Sequence, residues 1–400
     1  MKKILIITGE FPPYRSANTN CLLHVIEALQ ASGYDVSVLS FAYGKDIPIR
    51  EDRDGYSIYR VYASNDRFDK LYRVTRDKSA PIAFLGKWIA MIAFKCIWVI
   101  RIRKSVCLYR RTLRREEFPY ILSVLYPQDG HFIAERLADK HTKWVMYNLD
   151  PYISQGSHGL TLRYKKFIEN HWRKKVSGII NLHGVRLEHE QIGYDPYRGL
   201  PTLDTHLPNL AIPSELPART QKQDGEKILL RFTGSFHPYI RRPETLLQIL
   251  EKLDSDQFTA EFYGGACDYL KNNFSSLPAC VRLMGSVDEK ACRTLTGTAD
   301  ILINVGNLTT DQFPSKVFEY IATGKPILNV YSEPNDPVLP YMQRYPCALN
   351  VRSADEIDGE TLLRLYRNAA SVTAEQLREI YRDNLRETVT KTMIDFIESL

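Results

Sequence analysis

Residues 3–40 read KILIITGEFPPYRSANTNCLLHVIEALQASGYDVSVLS and contain a complete strand–helix–strand pattern. KILIIT is a short apolar run of the kind that forms a buried strand, and DVSVLS predicts a second strand. Between them a helix is predicted from about Asn20 to Ser32, with Gly33 as its stop signal. Its apolar residues fall on one face: Leu22, Leu23, Ile26 and Leu29. This βαβ pattern predicts a parallel sheet.

The same alternation runs along the rest of the chain. Three further strands are predicted in the first half: YILSVLY (120–126), KWVMYNL (143–149) and SGIINL (177–182). Residues 213–226 are polar and proline-containing, as in a linker. Four more strand patterns follow a new start at KILLRFTGS (227–235): TAEFYGG (259–265), CVRLMGS (280–286), ADILINV (299–305) and KPILNVY (325–331). We therefore predict an α/β fold with two doubly wound, Rossmann-like parallel-sheet domains.

The predicted domains are residues 1–212 and 213–385, followed by a terminal helix at 386–400. A helix is predicted over Glu244 to Leu253, and the helical pattern at the end of the chain begins at about Thr373. Four hundred residues with 44% hydrophobic content suffice for two such cores. The net charge of +6 favours anionic ligands or an anionic membrane surface without indicating nucleic acid. The seven cysteines form no CxxC pair, which favours reduced thiols in the cytoplasm and no metal site. The apolar run ILII after Lys2 and Lys3 is too short for a signal peptide.

Residues 309–328, TTDQFPSKVFEYIATGKPIL, bring together residue types that suit a diphosphate. Pro314 fits the first position of a helix that Gly324 ends, so the helix is expected to be short. Ser315 and Lys316 then lie in its first turn, where backbone N–H groups favour anions. Glu319 offers a carboxylate that can accept two hydrogen bonds from ribose hydroxyls, and Asp311 precedes the helix. The alternative is an amphipathic helix with Lys316 and Glu319 as a solvated ion pair.

This segment resembles the donor-binding motif of GT-B glycosyltransferases, in particular the retaining family 4. In that family two acidic residues, separated by seven others, flank the nucleotide sugar. Here they are Asp311, where Glu is more usual, and Glu319, and the SKVFEY core is followed by GKP. The resemblance implies two Rossmann-like domains facing across a cleft, with the terminal helix crossing back to the first domain. It also implies a nucleotide diphosphate sugar, UDP- or GDP-linked, as donor substrate, with no metal or other cofactor.

Loops after strands in the second half are expected to bind the donor, because open parallel sheets bind ligands at the carboxyl ends of their strands. Gly234 and Ser235 begin one such loop, and Arg241 and Arg242 end it with guanidinium groups that suit phosphate oxygens. A solvated basic pair is the alternative. Gly285 and Val287 lie in a segment whose backbone borders the nucleobase in the family.

Loops of the first half are expected to meet the acceptor. Gly9 and Ser16 follow the first strand, in a loop that lacks the two adjacent glycines of the family. Asn148 stands where many relatives have a histidine, with Asp150 two residues later, and Asp150 before Pro151 also suits a plain turn. His131 is a further candidate for the cleft. Asn148 cannot act as a base, but front-face transfer with retention, as the family implies, needs none.

Residues 81–115 combine apolar blocks with a basic end. Lys87 and Lys95 interrupt the apolar blocks, which disfavours a membrane crossing. An interfacial helix on an anionic membrane fits better, and a buried helix pair is the alternative.

Together these observations predict a retaining, metal-independent glycosyltransferase. The catalytic candidates are Asp311, Glu319, Arg241 and Lys316. The expected acceptor is a glycan or lipid-linked molecule in cell-surface polysaccharide biosynthesis, at the cytoplasmic face of the plasma membrane. A catalytically silent nucleotide-sugar or membrane-binding scaffold and a GT-B sugar-nucleotide epimerase remain alternatives.

Overall fold

The chain folds into two compact units, one of which is assembled from both ends of the sequence. A computed structural model describes residues 2–14, 16–44, 46–62, 99–113, 117–125, 129–153, 157–217, 222, 225–308, 313–368 and 372–400. The first unit comprises Met1–His206 and Val389–Leu400, and the second comprises Leu207–Thr388. The sequence placed the change of domain after residue 212.

The first unit is built on a largely parallel sheet with helices on both faces. Its strands are β1 (Lys2–Ile7), β2 (Tyr34–Ala42), β3 (Arg50–Arg53), β4 (Tyr56–Tyr62), β5 (Tyr120–Val124), β6 (Lys143–Asn148), β7 (Gly178–Leu182) and β8 (Thr202–Thr205). Their order is β3-β4-β2-β1-β5-β6-β7-β8, and only the β3–β4 pair is antiparallel. The helices are α1 (Ala17–Ala31), α2 (99–108), α3 (Asp129–Leu137), α4 (Gly159–Trp172) and α5 (His183–Gln191). A π-helical turn, Tyr109–Leu113, extends α2.

The second unit repeats this plan on a smaller sheet. Its strands are β9 (Ile228–Thr233), β10 (Phe258–Tyr263), β11 (Val281–Gly285), β12 (Ile301–Val305), β13 (Ile327–Val330) and β14 (Ala348–Val351). All its pairs are parallel, in the order β11-β10-β9-β12-β13-β14. Its helices are α6 (Glu244–Glu251), α7 (Gly265–Asn273), α8 (Glu289–Thr298), α9 (Lys316–Ile321), α10 (Leu339–Arg344), α11 (Gly359–Asn368) and α12 (Ala374–Ile380).

The end of the chain, which is helical in pattern from about Thr373, forms two helices, and the second begins at Arg386. After α12, residues Arg382–Asn384 form a 3₁₀ turn and Leu385 is extended, with φ −62° and ψ 141°. The next amide, of Arg386, donates to the carbonyl of Leu210 instead of continuing a helical ladder. The final helix, α13 (Arg386–Ser399), begins in the second unit and ends in the first. There the Glu398 carboxylate accepts from Lys2 Nζ at 2.7 Å and from the Tyr34 hydroxyl at 3.0 Å.

Candidate active site

The second sheet has a switch point between β9 and β12, where the strand order reverses. From β9 the chain moves outward to β10 and β11, and then returns to β12 on the other side of β9. Loops that leave the carboxyl ends of two such strands diverge to opposite faces, and ligands bind in the crevice between them. The loop after β9 contains Gly234 to Arg242, and the loop after β12 contains Gly306 and Asn307. These are the loops to which the sequence assigned the donor.

Glycines allow the strand ends beside this switch point to pack backbone against backbone. Gly264 has φ +85°, and a Cβ there would lie 2.8 Å from the Gly234 carbonyl oxygen. A Cβ at Gly265 would lie 2.6 Å from Ser235 Oγ. The amide of Ala266 instead donates to the Gly234 carbonyl at 2.9 Å. Gly234 and Ser235 therefore form a tight backbone surface at the end of β9.

Arg241 bridges the two loops of the switch point. Its Nε and Nη2 donate to Asn307 Oδ1 at 3.2 and 3.0 Å. Burial lowers the pKa of Arg241 and raises that of the nearby Asp336 carboxyl, although the two opposite charges favour each other. A guanidinium stays charged in proteins, so a cation is held at this point. Gly306 is needed beside it, since a Cβ there would lie 1.9 Å from Asp336 Oδ2.

Lys316 places a second cation at the end of β9. Its Nζ donates to the carbonyl oxygen and to Oγ1 of Thr233, at 3.0 and 2.9 Å, and lies 3.6 Å from Cys292 Sγ. The same Thr233 hydroxyl is 3.0 Å from the Tyr320 hydroxyl. Burial raises the pKa of Tyr320 to about 12, so this hydroxyl keeps its proton. Lys316, the first residue of the helix Lys316–Ile321, thus lies at the end of β9. Arg241 lies near the same end, since a Cβ at Gly234 would be 3.8 Å from Arg241 Nη1.

Helix α9 is short, as predicted, and its buried face is apolar. Val317, Phe318 and Ile321 are buried in the second unit, while Glu319 is exposed one turn after Lys316. The helix begins at Lys316 rather than at Pro314, and Ser315 is its N-cap without a side-chain cap bond. The amides of Val317 and Phe318 donate to the carbonyls of Pro314 and Ser315 at 3.2 Å each. These two amides are consequently not available to a ligand.

The remaining donor candidates differ in their surroundings. Arg242 is exposed, and its Nε donates to the Pro238 carbonyl of its own loop at 2.7 Å. Gly285 has φ +84° with open space beside it, and Val287 is 39% exposed. Asp311 lies outside the described residues.

In the first unit, Gly9, Ser16 and Asp150 lie at carboxyl ends of strands. The Gly9 carbonyl accepts from the Tyr43 hydroxyl at 3.1 Å. Ser16 is the N-cap of α1, and its Oγ accepts from the Thr19 amide. Asp150 follows β6, and its Oδ2 accepts from Asn18 Nδ2 at 3.1 Å.

His131 and Asn148 belong to a buried hydrogen-bond network rather than to an exposed surface. They are 0% and 2% exposed, and His131 Nε2 lies 2.9 Å from Asn148 Oδ1. Asn148 Nδ2 donates to Asn181 Oδ1, and His131 Nδ1 lies 2.8 Å from Ser123 Oγ. Burial lowers the pKa of His131 to about 4, so the ring is neutral at neutral pH. In this arrangement the two side chains connect α3 with β5, β6 and β7 in the interior of the first unit.

The basic segment is described only from residue 99 onward, since residues 81–98 and 114–115 lie outside the described part. Ile102, Val106 and Leu113 are buried in the core of the first unit, while Arg103, Lys104, Arg110 and Arg111 are exposed. No helix among the described residues is long and apolar enough to cross a membrane. Nor do the described residues contain three His, Cys, Asp or Glu side chains grouped to hold a metal ion.

Sequence reasoning missed Asn307, the hydrogen-bond partner of Arg241, and Asp336, whose charge influences the pKa of Arg241. The pattern that could have indicated them is the position of Gly306 and Asn307 directly after the buried strand ILINV.

Comparison with solved structures supplies the class of fold. A sucrose-phosphate synthase from Thermosynechococcus elongatus matches with a TM-score of 0.66 and 13% identity, covering 100% of this chain and 99% of that chain. Trehalose-6-phosphate synthase OtsA matches with a TM-score of 0.65 and 10% identity, covering 100% and 99%. A trehalose-6-phosphate structure from E. coli, bound with UDP-2-fluoro glucose, matches with a TM-score of 0.60 and 10% identity, covering 100% and 99%.

These neighbours are GT-B glycosyltransferases, and the predicted α/β fold with two Rossmann-like parallel-sheet domains is confirmed. No family model and no curated protein matches the sequence.

Proposed function

We propose that this chain is a glycosyltransferase that moves a sugar from a nucleotide diphosphate sugar, UDP- or GDP-linked, to a hydroxyl group. The observation that carries the proposal is the pair of cations, Arg241 and Lys316, held at the switch point of the second sheet. Both side chains are anchored to strand-end groups, Asn307 and Thr233 respectively. Fixed cations in a partly buried site stabilise a departing diphosphate better than mobile ones, because no reorganisation is needed.

In this proposal the donor sugar is transferred with retention by front-face attack. The bond from the anomeric carbon to the diphosphate oxygen breaks, and a bond to the acceptor oxygen forms. The proton of the acceptor hydroxyl passes to the leaving phosphate, so no protein base is required. This agrees with the neutral, buried state of His131 and Asn148. Arg241 and Lys316 balance the developing charge without a divalent cation.

The two acidic side chains would hold the donor. The exposed Glu319 carboxylate accepts hydrogen bonds from the ribose, and Asp311 orients the sugar. We further propose a glycan or lipid-linked acceptor in cell-surface polysaccharide biosynthesis, with the protein peripheral to the cytoplasmic face of the plasma membrane. The exposed basic residues of α2 and its π-helical turn support this location.

Turnover of radiolabelled UDP- and GDP-sugars tests the proposal. Transfer to an acceptor, or slow hydrolysis without one, is expected for the parent protein. Glu319→Ala and Lys316→Ala are expected to lower it by about 10- to 100-fold, as for losing one charge-assisted hydrogen bond of about 1.5–3 kcal/mol. Lys252→Ala, at an exposed site on the same unit, is the matched control. Binding of a nucleotide sugar without any turnover would favour the scaffold, and release of an isomerised nucleotide sugar would favour the epimerase.

A further inference from the structure

Helix α4 of the first unit exposes large apolar side chains on the face that usually carries polar ones. Leu160 is 82% exposed, Tyr164 55% and Phe167 67%. Their spacing of four and three residues places them in one stripe along the helix. The other face already packs in the core, through Leu162, Ile168 and Trp172. Packing among the described residues of the first unit therefore does not explain why the exposed stripe is apolar.

The surroundings of this stripe are strongly basic. Residues 159–175 contain six lysines and arginines: Arg163, Lys165, Lys166, Arg173, Lys174 and Lys175. The one acidic residue in this range, Glu169, is 0% exposed. Burial raises the pKa of Glu169 to about 8, so its carboxyl is largely neutral at neutral pH. The outer surface of α4 thus presents apolar side chains among positive charges.

Helix α2 adds exposed positive charge on the same side of the first unit. Arg101 of α2 contacts both carboxylate oxygens of Asp129 on α3 at 3.1 Å. Phe132 of α3 in turn packs on Trp172 of α4, with ring centroids 5.0 Å apart. The three helices therefore form one layer over the sheet. The exposed basic residues of α2 and of the turn after it belong to this layer: Arg103, Lys104, Arg110 and Arg111.

We propose that α4 is a docking surface for an anionic lipid bilayer, with Leu160, Tyr164 and Phe167 inserted among the acyl chains and the surrounding lysines and arginines at the headgroups. Helices that lie in a membrane interface combine these two features. Each basic residue near an anionic leaflet adds about 1 kcal/mol of attraction. A protein partner is favoured less, because a stable interface covers about 800 Å² on each side and has a mixed polar rim. Here the stripe is narrow, and the described residues around it are mainly basic, with Glu135 of α3 paired to Lys175 at 2.9 Å.

This inference deepens the acceptor side of the proposed function, since docking would bring the first unit to lipid-linked acceptors. Its evidence is independent of the sugar chemistry, and the test keeps the two apart. The full-length parent is mixed with vesicles of phosphatidylcholine containing about 30% phosphatidylglycerol, and the floated fraction is measured. The triple variant Leu160→Gln, Tyr164→Gln, Phe167→Gln is compared with Ile49→Gln, Tyr62→Gln, which removes exposed apolar side chains elsewhere on the first unit.

The parent and the control variant are expected to float with the anionic vesicles and much less with pure phosphatidylcholine. The triple variant is expected to lose at least about tenfold in vesicle affinity while its hydrolysis of the donor is unchanged. Equal flotation of triple variant and parent, or no flotation of the parent, would overturn the inference. A parent dimer that the triple variant converts to monomer would assign the stripe to a second copy of the chain. Normal flotation without any sugar turnover would leave the docking surface in place and remove only the proposed activity.

Discussion

Arg241 and Arg242 are neighbours in the sequence, yet the fold gives them different surroundings. Arg241 bonds to Asn307 across the switch point, whereas Arg242 is exposed and bonds to its own loop. Composition and spacing indicate a basic pair after β9 but cannot say which member faces the crevice, because register in a loop is set by tertiary contacts. Asn307, the hydrogen-bond partner of Arg241, is likewise brought to it only by the strand order.

This difference gives a test at single-residue resolution. Arg241→Met is expected to weaken binding of UDP or GDP by about 10- to 100-fold, because it removes a charge-assisted contact and the anchor to Asn307. Arg242→Met is expected to weaken it by less than about threefold. Isothermal titration of both variants, with whichever nucleotide binds the parent, makes the comparison. Equal losses in the two variants would assign the site to a diffuse basic patch.

Two glycines with similar positive φ values differ in how closely other atoms surround them. Gly264→Ala is expected to destabilise the second unit by about 2–6 kcal/mol, since its backbone conformation, φ +85° and ψ −156°, costs about 1–3 kcal/mol for a residue with a Cβ and overpacking about 1–3. Gly285→Ala has a similar φ but open space, so about 1–2 kcal/mol is expected. Urea unfolding measures both. A Gly264→Ala variant no less stable than Gly285→Ala would show that the backbone contact with Gly234 is loose.

At the scale of elements, the regular parts of the fold follow from the sequence and the irregular parts do not. The predicted βαβ unit and the other predicted strands of both sheets are present, and α9 is short as predicted. Strands β3, β4, β8 and β14 were missed. Strands β3, β8 and β14 are four residues each and carry few of the buried apolar residues that indicate a strand, and β4 has the charged Arg60 in its middle. The terminal helix expected at 386–400 is separated from α12 because the amide of Arg386 donates to the carbonyl of Leu210, a contact that the sequence alone does not show.

We expect Glu169 of α4 to make the stability of the folded protein depend on pH. The folded pKa of Glu169, about 8, lies above its ordinary value of 4.5 because of burial, so the folded state binds a proton that the unfolded state has lost. Between about pH 4.5 and 8, this group therefore lowers the free energy of unfolding by about 1.4 kcal/mol per pH unit as pH rises.

Glu169→Gln tests this dependence because it removes the titration while keeping an acceptor for the Tyr197 hydroxyl, which donates to Glu169 at 3.1 Å. Urea unfolding at pH 5, 6.5 and 8 is expected to show a flatter pH dependence for the variant, with its advantage over the parent growing toward pH 8. Parallel curves for the two proteins would mean that Glu169 titrates normally.

At the scale of the whole molecule, the alternation of strands and helices was enough to predict two parallel-sheet domains. It was not enough to show that Val389–Leu400 belongs to the first unit, which depends on contacts with residues near the other end of the chain. Residues Val389, Met393, Ile394 and Ile397 are buried there.

A fragment containing residues 1–206 alone should consequently be incomplete. Each fully buried apolar side chain of α13 contributes about 1.5–3 kcal/mol, so the fragment is expected to be strongly destabilised or partly unfolded. A synthetic peptide of residues 386–400 is expected to bind it and raise its melting temperature, whereas a peptide with Met393 and Ile397 changed to Ser is not. A fragment equally stable with and without peptide would show that α13 is dispensable.

Because α13 completes the first unit, this unit can finish folding only late in biosynthesis. The ribosome makes the 182 residues of Leu207–Thr388 after the main part of the first unit and before its last helix. At about 5–20 residues per second this takes roughly 10–35 s. Throughout that interval the surface of the nascent chain that α13 will cover stays open to chaperones and proteases. The first unit can therefore complete its core only after the second unit has been synthesised.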